Sequence, residues 1–245
     1  IQIPVLTTAQ IIVLTTAQTY TLLTSQIVVI TTSQLPVITT ADISTLTTAN
    51  INALLTSQIP ALITSQVVAL RTVQIPALTT TNVPVLSTLQ INVLLSDQVV
   101  ALETRQIVVL TTIQVPAITT DDIVAISTVQ VQSLTTIQIP VLTTAQIIVL
   151  TTAQIVVLKS EQVQTLNSIQ VNTITTLNIS ALLTSQINFL YTSQVNILLT
   201  SQIASLLSVQ TSIMTTDQII SLTTIQIPAI TTLDINTLTT DQTDA

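Results

Sequence analysis

A glutamine returns every eight residues, at positions 2, 10, 18, 26 and 34, and keeps that register to Gln242. Of the 31 positions in this column 25 are Gln, and the exceptions, Asp42, Asn50, Asn82, Asp122, Asn178 and Asp234, are shorter amides or acids. A period that never slips confines the chain to a repeat architecture, in which each unit completes its core only by stacking on neighbours. Other columns are nearly as constant. The residue after the glutamine is Ile or Val in 27 of 31 cases, and the residue four after it is Leu, Ile or Met214. Two residues before it stands Thr, or Ser at 96, 160, 168 and 208, in every octad from Gln10 onward. Residues 1–18 recur unchanged as 137–154, the mark of a block of octads that was copied. The whole of 1–245 therefore reads as a single continuous octapeptide-repeat array, a segment of a longer chain, with no linker or composition shift to divide it.

What the 245 residues lack narrows the chemistry. There is no Gly, Cys, His or Trp. Zinc sites of the usual kind, Ser-His or Cys-His nucleophile pairs, disulfides and glycine-rich phosphate loops are all ruled out. Three Lys and Arg stand against ten Asp and Glu, for a net charge of −7. Nucleic acid is thus excluded as a partner, because binding it requires a basic surface. Thr and Gln interrupt every octad, so no stretch of about 20 apolar residues exists to insert in a membrane.

Helix and strand both have a case. Thr7-Thr8-Ala9-Gln10 has the form of a capping box, with Leu6 and Ile11 placed as a hydrophobic staple. Eight of the ten acids lie on or directly before the glutamine column, where a helix's first turn favours negative charge. Against this stands the column two after the glutamine, which holds all eight prolines (4, 36, 60, 76, 84, 116, 140, 228) together with Asn, Val, Ile and Ser. Proline inside a helix costs about 3 kcal/mol, and runs such as Ile27-Val28-Val29-Ile30 are β-branched. The expectation is therefore all-β: a parallel β-solenoid (β-helix) built from 8-residue repeats, with ladders of stacked Ile, Leu and Gln. The alternative is an α-solenoid of very short capped helices. Two or three octads would make one β coil, giving a rod of roughly 50 to 70 Å at the usual strand spacing.

Few residues stand out as sites. Asp121 with Asp122 is the one adjacent acid pair, and it reads as a charged bend facing water rather than a calcium loop, since the oxygens and glycine such loops need are missing nearby. Glu103 with Arg105, and Lys159 with Glu161, are spaced for surface ion pairs. Tyr20, Phe189 and Tyr191 invite reading as an aromatic contact patch, but Phe189 and Tyr191 occupy ordinary repeat columns and read as large substitutions. No catalytic, cofactor-binding or metal-binding residue is expected, and no cofactor. The threonine column invites comparison with ice-binding solenoids, and its exposure is the feature that discriminates.

The stretches Leu6-Thr7-Thr8-Ala9-Gln10-Ile11 and Leu238-Thr239-Thr240-Asp241-Gln242 resemble the octapeptide (Thr-Thr-x-Gln-Ile-x-x-Leu) repeat arrays of very long bacterial surface or adhesin-like proteins. That resemblance spans the chain and implies an extracellular or cell-surface location, as the shaft or stalk of an adhesin or filament. On this reading the protein is not an enzyme. It self-associates end to end or laterally, and a small-molecule ligand is not expected.

Overall fold

The computed structural model describes residues 3–244, and it is helical. Each octad forms one short element: 23 α-helices of four to six residues and eight 3₁₀ segments, with no strand among the described residues. The β-solenoid, or β-helix, expectation is thereby overturned, and the α-solenoid of very short capped helices takes its place.

The local reasons lie in the octad itself. In Thr48–Ala53 the preceding Thr47 is extended (φ −71°, ψ 160°), and its hydroxyl accepts the Asn50 N–H. The side-chain oxygen of Asn50 in turn accepts the Thr47 N–H at 3.0 Å. This reciprocal cap satisfies donors that a helix start leaves orphaned. Where the cap residue is Leu, Ile or Arg, the second half survives alone: the N–H of Leu23, Ile63 or Arg71 still donates to the glutamine three residues on. At the other end the leucine column turns extended again, as at Leu54 (φ −59°, ψ 132°) and Leu70 (φ −61°, ψ 131°). Helices elsewhere often end in a left-handed residue that favours glycine. Here no described residue has a positive φ, so a chain without glycine loses nothing.

Proline misled the sequence reading for a specific reason. Each of the eight 3₁₀ segments contains one of the eight prolines, as in Leu35–Val37 and Val115–Ala117. The proline occupies the fifth helical position, whose N–H would bond the carbonyl of the first; compare Val28 to Thr24, 3.2 Å, in a proline-free octad. In the octad of Pro36 the flanking bonds persist, Leu35 to Thr31 at 3.0 Å and Ile38 to Leu35 at 3.2 Å. One bond is lost and the turn tightens from α to 3₁₀, which is far less than the disruption of a long helix.

Helices this short are not stable alone; packing holds them. The Ile/Val after the glutamine and the Leu four after it lie three apart, on one helical face, and both are buried almost throughout, as at Ile59, Leu62, Val195 and Leu198. The difficulty of a strand that would send them to opposite faces disappears.

The chain forms two compact units, Ile1–Ile126 and Ser127–Ala245. Within the first, Thr16–Tyr20 packs on Thr40–Thr45, which packs on Thr64–Ala69; within the second, Thr144–Val149 packs on Ser168–Thr173. Each partner is three octads away. Side-chain bonds described below reach four octads back, so a superhelical turn takes between three and four octads, more than the two or three expected of a β coil.

Candidate functional site

The glutamine column is where the chain places its most constrained chemistry. Gln66 is fully buried. Its Oε1 accepts the N–H of Ile63 at 3.0 Å, and its Nε2 donates to the carbonyls of Leu35 at 2.8 Å and Ile38 at 2.7 Å. Gln202 in the second unit does the same with Leu199, Val171 and Ile174, each at 2.8 Å. The amide thus ties a helix start to the orphan carbonyls of the helix four octads earlier. It does not stack on other glutamines, so the amide ladder expected from sequence is replaced by amide-to-backbone ties. No buried polar side-chain atom lacks a partner among the described residues. Each such bond contributes about 1 kcal/mol net, but breaking one inside costs more, because the partner is left buried and unpaired.

Shorter side chains in this column modify the tie in two ways. Asn82 and Asn178 reach only the leucine-column carbonyl, Leu54 at 3.0 Å and Leu150 at 2.8 Å. The aspartates cannot donate at all, and each is met by a hydroxyl from three octads earlier. Thr19 donates to Asp42 at 2.9 Å, Ser96 to Asp122 at 2.8 Å and Ser208 to Asp234 at 2.7 Å. The cap residues Thr39, Thr119 and Thr231 add a second hydroxyl to each carboxylate. Ser96 and Ser208 are two of the four serines in the threonine column, and Thr19 is one of the rare departures from Ile/Val. Sequence reasoning missed this pairing, although the offsets of 26 and 23 residues were visible as paired exceptions to the consensus.

A second seam uses the column that also carries proline. Asn52 donates to the Ala77 carbonyl, Asn92 to Ala117, Asn188 to Ile213 and Asn196 to Ser221, at 2.7 to 3.3 Å and always 25 residues forward. At these four positions the asparagine is a tie to the next turn.

The residues singled out from sequence separate on inspection. Asp121 is exposed, whereas Asp122 is buried as the Gln-column acid just described, so the pair does not share one water-facing bend. Among the described residues no group of acids is placed to hold a metal ion. Arg105 pairs with Glu103 and also donates to the Pro76 carbonyl at 2.8 Å. Lys159 and Glu161 form no ion pair among the described residues, contrary to expectation. Tyr20, Phe189 and Tyr191 are all exposed, Tyr20 in the first unit and the other two in the second. The cores hold slender apolar voids of about 10 Å³, the size of one water and lined by Ile, Val and Leu.

The threonine column is the first helical position, not the cap. From Thr8 to Thr240 it is exposed or half-exposed, and among the described residues its threonine hydroxyls make no hydrogen bond. Because helices stack three and four octads apart, these hydroxyls are distributed around each turn rather than gathered on one flat side.

No helix among the described residues is long and apolar enough to cross a membrane. Compared with known families, three stretches, residues 35–72, 67–104 and 115–152, match the ALTTAQ repeat. No curated protein and no solved structure matches the chain.

Proposed function

We propose that this repeat protein is a non-catalytic structural element, the shaft or stalk of an extracellular adhesin or filament. The observation that supports the reading is the amide tie repeated from octad to octad. It fills the interior with satisfied hydrogen bonds where an enzyme would place a cavity and reactive side chains. The surface suits life outside a cell: hydroxyls and amides hydrate it with little charge, and Arg71, Arg105 and Lys159 are all that trypsin could cut. The test is antibody labelling of source cells with and without permeabilisation. Labelling of intact cells is the expected result, and labelling confined to permeabilised cells contradicts the reading.

A second reading, binding to an ordered water or ice lattice, has the exposed and unbonded threonine hydroxyls in its favour. Their distribution around each turn opposes it, because a flat crystal plane meets only one side. Thermal hysteresis in a freezing assay decides: a gap between melting and freezing points supports ice binding, and its absence removes it.

A further inference from the structure

We propose that the threonine column is a modification site, its free hydroxyls accepting O-linked sugar from a nucleotide-activated donor. The inference goes beyond the structural reading and does not depend on where the shaft stands.

It starts from two adjacent columns that the chain treats in opposite ways. The cap column uses its hydroxyl, as where Thr143 accepts the Gln146 N–H at 3.1 Å. From Thr7 to Thr239 that hydroxyl is nevertheless missing at 12 of 30 positions, with Leu23, Arg71, Lys159 and Tyr191 among the replacements. The fold tolerates the loss because the glutamine half of the cap survives alone, as at Leu23 and Arg71. The next column keeps a hydroxyl at all 30 positions, 26 Thr and four Ser. Among the described residues none of those threonine hydroxyls is hydrogen-bonded, and each threonine is exposed or half-exposed. Copying of octads does not account for this constancy, since the column that follows has diverged to Ala, Ser, Val, Thr, Leu, Asp, Arg, Ile and Glu. A group that the interior does not use, yet that every octad retains, is kept for something outside the fold.

The surroundings point to sugar. Thr88, Thr112 and Thr224 are followed by Leu89, Ile113 and Ile225, which stand 69%, 72% and 75% exposed. Exposed apolar surface promotes association, and a net charge of −7 over 245 residues opposes it only weakly. A bulky neutral sugar on the preceding hydroxyl covers that surface and brings its own hydration. Phosphate fits less well: at about −1.5 to −2 each, 26 phosphates would add roughly 40 to 50 negative charges and strong self-repulsion.

In the step itself the threonine Oγ attacks the anomeric carbon of the activated sugar. The new C–O bond forms as the bond to the nucleoside diphosphate breaks; the diphosphate leaves with the bonding pair, and the hydroxyl proton passes to a base of the transferase. Two positions of the column serve as internal controls. Ser96 and Ser208 donate their hydroxyls to Asp122 and Asp234 at 2.8 and 2.7 Å, so they are not free to react.

Mass spectrometry of the array isolated from its source cells provides the test, with fragmentation that leaves side-chain modifications attached. The same chain made in a cell-free reaction without activated sugars is the reference. The source chain is expected to be heavier by a whole number of sugar residues, carried on column threonines such as Thr88, Thr112 and Thr144 and absent from Ser96 and Ser208. Made in those cells, Thr144→Ala loses one sugar, whereas Thr143→Ala, one residue away, loses none. A source chain with the mass of the reference overturns the proposal, as do phosphate in place of sugar, sugars on the capping hydroxyls or on Ser96 and Ser208, or a Thr144→Ala chain that keeps its full sugar count. Surface labelling of cells reads location alone, so the modification and the extracellular role fail separately.

Discussion

The same sixteen residues occur twice, as Ile3 to Gln18 and as Ile139 to Gln154. They differ only in what surrounds them. The local geometry is shared: Ile3–Val5 and Ile139–Val141 are both 3₁₀, and the Thr7 and Thr143 N–H groups each donate to their glutamine at 2.8 Å. An outward position is also indifferent to context, Ile12 being 50% exposed and Ile148 52%. Burial is shared only in part: the isoleucine column is closed in both copies, Ile3 and Ile11 being 1% and 2% exposed and Ile139 and Ile147 1% each, but the glutamine and leucine columns differ. Gln10 is exposed and Leu14 half-exposed, whereas Gln146 and Leu150 are 2% and 6% exposed. The helix lengthens with burial, from Thr8–Ile11 to Thr144–Val149. Capping is thus written in the octad, while core formation and the second half of the helix come from neighbouring turns, as expected of a repeat array.

That contrast is open to attack by substitution. The largest difference is expected for Gln→Leu: about 2 to 4 kcal/mol lost at Gln146, where buried groups are left unpaired, against less than about 1 kcal/mol at Gln10. Urea unfolding of the two single variants checks it, and equal losses would show that the cap alone matters. Next comes Ser96→Ala, expected to cost about 1 to 3 kcal/mol because the buried Asp122 carboxylate loses a donor from another turn. Restoring the consensus with Ser96→Thr and Asp122→Gln together should recover that stability, and a double-mutant cycle measures the coupling. A smaller loss, about 1 kcal/mol rather than the 3 of a long helix, is expected for Ile148→Pro, which converts an α octad into the 3₁₀ form of its neighbour. Its thermal unfolding midpoint and its helical signal in circular dichroism report both effects. The smallest pair is Thr143→Ala and Thr144→Ala: about 0.5 to 1 kcal/mol for the capping hydroxyl, and within about 0.5 for the unbonded one beside it.

Much of the local structure was legible in the chain, because capping depends on residues three apart. Thr7 and Gln10, with Leu6 and Ile11 flanking, announce a helix start that the structure contains. The strand expectation came from weighing Pro36 and Ile27 to Ile30 by propensities measured in long helices or exposed sites. In a helix of one turn and a half, a proline at the fifth position removes a single bond, and β-branched side chains are held by burial between turns. The superhelical turn was not legible, since it depends on which carbonyl a glutamine amide reaches, a relation spanning 28 and 31 residues. Part of it was nevertheless encoded. Ser96 before Asp122, and Ser208 before Asp234, are paired departures that only make sense across a turn. The two-sided role of the acid pair at 121 and 122 was hidden for the same reason: burial of one member is decided by the octads three and four steps away.

Hydrogen exchange of the glutamine side-chain amides tests the central claim most directly. Nε2 protons of interior glutamines such as Gln66 and Gln202, each bonded to two buried carbonyls, are expected to exchange far more slowly than those of Gln10 and Gln18 on the same chain. Uniformly fast exchange along the whole column would contradict the account, because it would place the amides in water and leave the turns without the tie that joins them.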